Sequence, residues 1–356
     1  MKKKNNFLIR GFKSLFLLAA LFIFSQCNKD DDYARDINTE APVEVAMDPS
    51  ISASQLPNKL AAVTALSNTT NAIGYASVNG ITTGGAGGKT ITVSTLSALK
   101  TAAASSSPMI IMISGIIKGT GMITVKSNKT LIGLSGAKIS GMGLSMYTVS
   151  NIIVKNLIIE YGTMSDCITI KERTHHVWID HCTFSKPYDG LVDITQESDF
   201  VTVSWCKFIG ASKGALVGGS DTSTGDKGKL NVTFHNNYFL NCIERQPSIR
   251  FGKGHVFNNY YLNNSGITGG YAIAARMGAV IRVENNSFKG IQSWPLQTIG
   301  TIHGTFCGVS TNVFSSCGYN KIATSASTWV PPYEYKSMMI ATSSVASVVS
   351  AGAGAK

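Results

Sequence analysis

Short segments of alternating apolar and polar residues recur along the chain beyond residue 90. Such alternation indicates half-buried strands rather than helices. Glycine, serine, threonine and asparagine, which favour turns, separate the segments. The clearest segments begin with a β-branched residue, contain a small polar pair and end with an aromatic residue: VWIDHCTF, VTVSWCKF, VTFHNNYF, VFNNYY and IRVENNSF.

The repeated segments are spaced irregularly along the chain. The second residue of each polar pair is Cys182, Cys206, Asn237, Asn259 or Asn286, and the intervals between these positions are 24, 31, 22 and 27. A constant strand with connections of variable length is typical of stacked coils that bury a continuous core. We therefore predict an all-β fold, a right-handed parallel β-helix, with the asparagines in a hydrogen-bonded ladder at one inner corner and the cysteines extending it. A β-sandwich is the alternative, but it would show hairpin turns between strands at shorter and more regular intervals.

The start of the chain has the composition of an export signal. Five basic residues precede the apolar run SLFLLAALFIFS, which is too short to span a bilayer permanently. Cys27 follows directly, at the position where a bacterial lipoprotein is cleaved and acylated. We therefore expect an exported protein with a lipid on Cys27. The following NKDDD fits either a tag for the outer face of a Gram-negative cell or a solvated acidic tether.

These patterns divide the chain into three segments. Residues 1–26 are the predicted signal peptide, 27–55 a polar tether, and 56–356 the β-helix domain. The stretch SQLPNKLAAVTAL predicts one short helix at the start of the domain, capped near Ser54.

Charge and cysteine content add limited information. Without the predicted signal, the chain has 26 Lys and Arg residues and 20 Asp and Glu residues. This mild basicity suits an acidic polymer, such as a polyuronate or a nucleic acid, and equally suits ordinary solubility. Six cysteines remain in an export compartment where disulfides persist, and six cysteines allow 15 pairings. The six are Cys167, Cys182, Cys206, Cys242, Cys307 and Cys317.

Two motifs that suggest other chemistry do not fit their context. TGGAGGKT, residues 83–90, resembles a phosphate-binding loop, but a strand-like TITVSTL follows where such a loop needs a helix. His175, His176 and His181 crowd together, yet adjacent residues of a strand point to opposite faces. We expect these histidines to serve in packing and corner hydrogen bonds rather than in metal binding.

Aspartates near YDGLVDI form a stronger candidate site. Asp189 and Asp193 share one face of a strand but would lie roughly 13 Å apart if the strand were straight. The Asp-Gly pair is a turn signal, and a bend at Gly190 would bring both carboxylates into one calcium shell. Asp166, one coil earlier, would stack beside them. Three converging carboxylates repel one another unless a cation or basic groups lie among them.

The segment ERQPSIR raises a related question. Arg245 and Arg250 are five positions apart, so an unbroken strand would point them to opposite faces. A bend at Pro247 would instead direct both guanidinium groups to one site. Two adjacent cations would suit an anionic ligand or a reaction that builds up negative charge.

Two long segments resemble the signature blocks of the pectate lyases, polysaccharide lyase family one. They are VWIDHCTFSKPYDGLVDITQESDFVTVSWCKF and RQPSIRFGKGHVFNNYY, and the similarity extends from about IGYASVNGITTGG to the final AGAGAK. The resemblance implies a right-handed parallel β-helix. It also implies Ca²⁺-dependent cleavage of polygalacturonate by β-elimination, which leaves a 4,5-unsaturated uronide. It further implies a monomer that binds pectic polysaccharide and no nucleic acid.

The resemblance assigns roles by position. Arg245 matches the arginine credited with proton abstraction, and Lys213 and Arg250 match the basic residues that bind substrate. The matches to the calcium-binding carboxylates are Asp166, Asp189 and Asp193. Met164 stands where some members have a further aspartate, so calcium should bind weakly until substrate carboxylates complete the shell.

Three rival functions remain open. A pectin lyase would act on the methyl ester without calcium, which makes three retained aspartates hard to explain. A glycoside hydrolase on a β-helix would use a carboxylate pair and leave the basic residues without a role. A non-catalytic surface adhesin would keep the repeats but need no basic cluster. Endo or exo action and tolerance of methyl esters stay undetermined by the sequence.

Overall fold

The computed structural model describes residues 72–356. The predicted signal peptide, tether, Cys27 and short helix after Ser54 lie outside these residues. Among residues 72–356, no helix combines the length and apolar character needed to cross a membrane.

Most of the regular secondary structure in the described residues consists of short strands, and these residues also form two α-helices. The helices are α1 (Leu96–Ala103) and α2 (Thr342–Gly352). The strands are β1 (Lys89–Val93), β2 (Met109–Ile113), β3 (Ile116–Thr124), β4 (Lys129–Gly133), β5 (Lys138–Tyr147), β6 (Ser150–Lys155), β7 (Ile158–Glu160), β8 (Ile168–Lys171), β9 (His175–Asp180), β10 (Thr183–Ser185), β11 (Val192–Ile194), β12 (Asp199–Ser204), β13 (Lys207–Ile209), β14 (Ala215–Val217), β15 (Val232–His235), β16 (Tyr238–Leu240), β17 (Ser248–Arg250), β18 (Lys253–Phe257), β19 (Tyr260–Leu262), β20 (Tyr271–Arg276), β21 (Val280–Glu284), β22 (Ser287–Lys289), β23 (Trp294–Ile299), β24 (Thr305–Cys307) and β25 (Val313–Ser315).

The strands stack into three parallel rows. One row is a ten-stranded sheet in the order β1-β2-β4-β6-β9-β12-β15-β18-β21-β24. A fifteen-stranded sheet supplies the other two, which meet at β5: row A (β7, β10, β13, β16, β19, β22, β25) and row B (β8, β11, β14, β17, β20, β23). Each coil adds one parallel strand to each row, as in β9–β12 and β11–β14. The predicted parallel β-helix is thus confirmed.

The predicted polar ladder is present at one inner corner. Asn237 N–H donates to Asn259 Oδ1 at 2.8 Å, and Asn259 N–H donates to Asn286 Oδ1 at 2.9 Å. Cys206 continues the ladder by donating its N–H to Asn237 Oδ1 at 2.9 Å. Cys182 N–H in turn contacts Cys206 Sγ at 3.4 Å. Each side chain therefore satisfies a backbone group of the previous coil that would otherwise be buried without a partner.

The aromatic residues that end the repeats form an internal stack along the solenoid. Phe208 and Phe239 are stacked with ring centroids 4.4 Å apart, and the same holds for Tyr261 and Phe288. The whole stack comprises Phe184, Phe208, Phe239, Tyr261, Phe288 and Phe314. Stacking neighbours one coil apart removes large apolar faces from water and fixes the register of adjacent coils.

The six cysteines between residues 72 and 356 are all free thiols, so no disulfide connects these coils. Five are buried, and burial raises the pKa of Cys242 to about 12. These thiols act as small core residues rather than as staples.

The glycine-rich segment and the helices can be compared with what the sequence patterns indicated. The glycine-rich TGGAGGKT leads into β1 rather than a helix, as expected from its sequence context. The helices α1 and α2 were missed by the sequence patterns. Both are short and rich in alanine, serine or threonine, so they lack the long apolar periodicity that reveals an amphipathic helix.

Candidate functional site

Charged side chains gather along row B. Asp193 lies in the middle of β11, while Asp166 and Asp189 lie in the segments that lead into β8 and β11. Lys213 and Arg245 precede β14 and β17, and Arg250 ends β17. We call this set the charged face: Asp166, Asp189, Asp193, Lys213, Arg245 and Arg250.

Two of the aspartates meet beside Gly190. A Cβ atom on Gly190 would lie 3.0 Å from Oδ1 of Asp166 and 3.0 Å from Oδ1 of Asp193, so both oxygens border the same small space. Gly190 also donates its N–H to Asp166 Oδ1 at 2.9 Å. The glycine thus borders Asp166 and Asp193, whereas the predicted bend was expected to join Asp189 to Asp193. Any larger residue there would crowd both carboxylates.

The electrostatics of Asp193 reflect this crowding. Burial raises the pKa of Asp193 to about 8, and repulsion from Asp166 and Asp189 adds to the increase, while Arg245 opposes it. The carboxylate is therefore poorly compensated by the protein alone. Such a group is stabilised by a cation, because an opposite charge within a few ångströms favours the ionised form.

Asp189 has a different partner. Its Oδ1 accepts a hydrogen bond from the Lys213 ammonium at 2.5 Å, and both side chains are well exposed. In the part of the chain that the structure describes, no three His, Cys, Asp or Glu side chains are grouped closely enough to hold a metal ion. Exposed pairs of this kind contribute only about 0–1 kcal/mol, so a cation or an anionic ligand can separate them easily.

The residues fit a calcium site in part. Asp166 and Asp193 offer hard oxygen ligands that face a common space, and Asp189 could join them once Lys213 releases it. Met164 is 65% exposed and offers no oxygen ligand. The protein thus supplies two preformed carboxylates and one that must be recruited.

Arg245 reaches this region because the chain turns before β17. Arg245 has a φ of 61°, and a cis peptide joins Gln246 to Pro247. β17 begins only at Ser248, so Arg245 and Arg250 do not lie in one unbroken strand. Their odd spacing therefore does not force the two side chains to opposite faces. Arg245 is close enough to Asp193 to offset part of the increase in the pKa of that carboxyl.

Arg250 is nearly buried and tightly held. Its Nε–H donates to Asp221 Oδ1 at 2.5 Å, and Nη1 donates to the Gly218 carbonyl at 2.9 Å. Arg276, the register partner of Arg250 on β20, lies 3.3 Å from the same Asp221 oxygen. The hydrogen bond from Arg250 is the main reason that the pKa of Asp221 lies below its ordinary value.

Asp221 and Arg276 were missed by the sequence reasoning. The interval from Arg250 to Arg276 is within the range of coil lengths, so the stacking of these two arginines could have been found from the repeat. Asp221 lies in an irregular loop between β14 and β15, where no periodic signal exists. The charged face therefore continues beyond the six predicted residues.

The three clustered histidines contact one another, neighbouring residues and adjacent coils. His175 and His176 meet through their Nδ1 atoms at 2.7 Å, and His181 Nδ1 lies 2.8 Å from Asp180 Oδ2 while its ring stacks on Trp205. None lies on row B, since they occupy β9 and the residue that follows it.

The charged face combines carboxylates that can hold a hard cation with three basic side chains on the two coils that follow. Such an array suits a polyanion laid along the solenoid axis, since adjacent coils repeat about every 4.8 Å. It would also stabilise negative charge that develops during a reaction.

Comparisons with known proteins identify the family of the chain. The sequence model of the family described as "Pectate lyase" matches residues 46–356. A probable pectate lyase B of Aspergillus terreus is 42% identical over 227 residues, which cover 61% of this chain and 68% of the relative. A pectate trisaccharide-lyase of Bacillus licheniformis is 37% identical over 287 residues, covering 74% and 80%.

Solved structures extend the likeness to the fold. A pectate lyase from Bacillus sp. N165, in complex with trigalacturonate, superposes with a TM-score of 0.64 at 28% identity and covers 80% of this chain and 98% of its own. Pectate lyase II of Xanthomonas campestris gives a TM-score of 0.69 at 24% identity, covering 80% and 98%, and supports the fold alone. The chain belongs to the pectate lyase family and is a polysaccharide lyase built on a parallel β-helix.

Proposed function

We propose that this enzyme is a calcium-dependent pectate lyase that cleaves (1→4)-α-D-galacturonan by β-elimination and releases 4,5-unsaturated oligogalacturonides. The observation that carries the proposal is the charged face, where carboxylates on the coils of β8 and β11 are followed by basic side chains on the coils of β14 and β17. A neutral or methyl-esterified polymer would have no carboxylates to interact with these basic side chains and a bound cation.

The reaction itself explains the need for positive charge. The C5 proton of a galacturonate unit is α to a carboxylate, so its removal builds up a dianionic, enolate-like centre. Lys213 and Arg250 are the cations that would bind the substrate carboxylates and stabilise this centre. Arg250 is suited to a two-pronged grip because Asp221 and Gly218 already fix the orientation of its guanidinium.

Asp166, Asp189 and Asp193 would hold the calcium ion. When bound, the ion would neutralise the substrate carboxylate and acidify the adjacent C5–H bond. The three aspartates would contribute their oxygens, with Lys213 turning from Asp189 toward the substrate. The raised pKa of Asp193 supports this assignment, because burial and repulsion from its two neighbours both disfavour the ionised carboxylate unless a cation compensates it.

Arg245 would remove the C5 proton. A guanidinium ordinarily keeps its proton, so it could act as a base only after losing that proton among the other cations of the substrate complex. Activity should therefore increase toward alkaline pH. The C4 oxygen then leaves as the C4–C5 double bond forms.

We also propose where in the cell the enzyme acts and in what oligomeric state. The enzyme would be exported by residues 1–26 and anchored to a membrane through a lipid on Cys27, with 27–55 as a tether. It would act as a monomer on pectic polysaccharide, at the cell surface or in the medium. Labelling cells with a fatty-acid analogue tests the anchor, and a Cys27→Ala protein that still partitions with membranes would contradict it.

One assay tests the reaction. The protein is incubated with polygalacturonate and with methyl-esterified pectin, each with and without a calcium chelator, while the ultraviolet absorbance of the unsaturated product is followed. We expect product from polygalacturonate only when calcium is present. Faster product formation from esterified pectin in chelator would establish a pectin lyase instead.

Two lysine substitutions separate the roles of the arginines and serve as controls for each other. Arg245→Lys keeps a cation but moves the proton acceptor, so kcat should decrease by about 100-fold or more. Arg250→Lys keeps the charge but loses the two-pronged grip, so mainly KM should increase. Near-parental kcat for Arg245→Lys at its own optimum pH would show that another group is the base.

A further inference from the structure

A second candidate binding site lies away from the charged face. A cavity of about 580 Å³ opens on the ten-stranded sheet. Asp199 begins β12, Asn231 directly precedes β15, and Lys253 begins β18, and all three line the cavity. Because these strands are consecutive in the sheet, the cavity extends about 10 Å along the solenoid axis. It is an elongated groove that follows the stacking direction.

Aromatic side chains provide the apolar part of the groove. Trp329 and Phe200 line it, and both are only half-buried. Phe200 packs on His176 at a centroid distance of 5.1 Å and lies 6.5 Å from the Tyr75 ring, which fixes its position. Partly uncovered aromatic rings beside a groove are suited to the apolar faces of a planar or ring-shaped ligand.

Asp199 provides an oriented acceptor. Its Oδ1 accepts hydrogen bonds from Phe200 N–H at 3.0 Å, and from the backbone N–H and side-chain Nδ2 of Asn231, each at 2.8 Å. Oδ2 accepts no hydrogen bond from residues 72–356, although Asp199 is only 6% exposed. Because Asp199 lines the groove, this free acceptor is suited to a hydroxyl donor on a ligand.

Lys229 and Lys253 provide positive charge at the rim. Both lysines are exposed and line the groove, and the Lys253 ammonium lies 6.0 Å from the centre of the Trp329 ring. A cation beside an aromatic face can contact a carboxylate on a ligand that stacks on that face.

These three features select one class of ligand. A simple anion would be repelled by Asp199, and a neutral sugar would leave both lysines unused. A saccharide that carries both hydroxyl groups and carboxylates satisfies the aromatic rings, the acceptor and the lysines together. We propose that this groove is a second saccharide-binding site that takes an oligogalacturonide segment and so holds the polymer on the face away from the reaction.

The identity of the uronide rests on the proposed function, whereas the groove itself does not involve the charged face. Residue-specific NMR can therefore test it separately. The chain contains four tryptophans, so labelling with 5-fluorotryptophan gives few signals. A Trp329→Phe variant assigns the one in the groove. Trigalacturonate is titrated into the Arg245→Lys protein, which limits cleavage, and galactotriose serves as the uncharged comparison.

We expect the Trp329 signal to shift saturably with trigalacturonate and not with galactotriose. Lys253→Gln should weaken this binding about threefold, the scale of one exposed ion pair between a lysine and a ligand carboxylate. The matched control is Lys336→Gln, which removes an exposed ammonium 4.6 Å from the Tyr335 ring outside the groove, and it should leave the affinity unchanged.

An unmoved Trp329 signal, an equal shift with galactotriose, or an equal loss in both lysine variants would each overturn the proposal. The outcome is distinguishable from failure of the proposed reaction. Binding at Trp329 by a protein that forms no unsaturated product would support the second binding site and contradict the proposed reaction. Cleavage of polygalacturonate by a protein whose Trp329 signal does not shift with trigalacturonate would support the reaction and contradict the second binding site.

Discussion

Replacing Asn259 by alanine tests whether the corner ladder holds the coils together. The Asn259 side chain is fully buried and accepts hydrogen bonds from the N–H and Nδ2 of Asn237 at 2.8 and 3.0 Å. It also donates to the Phe234 carbonyl at 2.9 Å and to Asn286 Oδ1 at 3.0 Å. Alanine removes all of these contacts at once.

The loss of stability in Asn259→Ala can be estimated from the hydrogen-bonding groups that remain without a partner. Asn237 N–H loses its acceptor and stays buried, which costs about 2 kcal/mol, and the other lost hydrogen bonds cost about 1 kcal/mol each. Asn286 Oδ1 keeps the Asn259 backbone N–H as a donor, so it adds little to the cost. We expect Asn259→Ala to lower the free energy of unfolding by about 4 kcal/mol, which corresponds to a decrease in Tm of roughly 10 °C.

The assay is thermal and urea unfolding, followed by circular dichroism. Asn264→Ala is the matched control, because Asn264 is exposed and its side chain makes no hydrogen bond to residues 72–356, so its effect should stay within about 0.5 kcal/mol. Asn259→Leu refills the space without restoring hydrogen bonds and should be as destabilising as alanine. Unfolding of Asn259→Ala that matches Asn264→Ala, or rescue by leucine, would refute the reasoning.

Three further predictions follow from the site and the core. Asp221→Ala should increase KM several-fold and change kcat less than about twofold, because Arg250 loses the partner of its Nε; steady-state kinetics checks this. Met164→Asp should tighten calcium binding in a calorimetric titration, because it adds an exposed carboxylate beside the proposed ligands. Acid should destabilise the fold: burial lowers the pKa of His255 to about 4, and hydrogen bonding outweighs burial to lower that of Glu284 to about 2. Each stabilising contribution is complete above the ordinary pKa and is lost as pH falls toward the shifted one. Tm should therefore decrease between pH 6.5 and 4, and this decrease should be smaller in His255→Gln.

The His255 network illustrates what local patterns do not reveal. His255 Nε2 lies 3.0 Å from Glu284 Oε1, and its Nδ1 lies 2.8 Å from the Tyr333 hydroxyl. Tyr333 belongs to a segment after the last strand, so its position on the ten-stranded sheet depends on how the chain returns. The sequence shows a histidine in a strand but gives no sign of its partners.

The sequence alone determined the architecture of the repeating part. Side-chain alternation marks each strand, and the asparagine positions recur once per coil, so the parallel β-helix and the ladder could be predicted. These features repeat because every coil must satisfy the same backbone groups and bury the same inner faces. The resemblance of two long segments then indicated the family and the residues that would carry the chemistry.

Only the tertiary structure decided how those residues are paired. Asp189 contacts Lys213 from the next coil, and Asp221 links Arg250 to Arg276. The position of Asp221, in an irregular loop, does not follow from spacing along the chain. The connecting loops differ in length from coil to coil, so the periodic pattern fixes the strands but leaves the loop side chains unplaced. Electrostatic interactions depend on distances in space and on burial, and both are set only when successive coils stack.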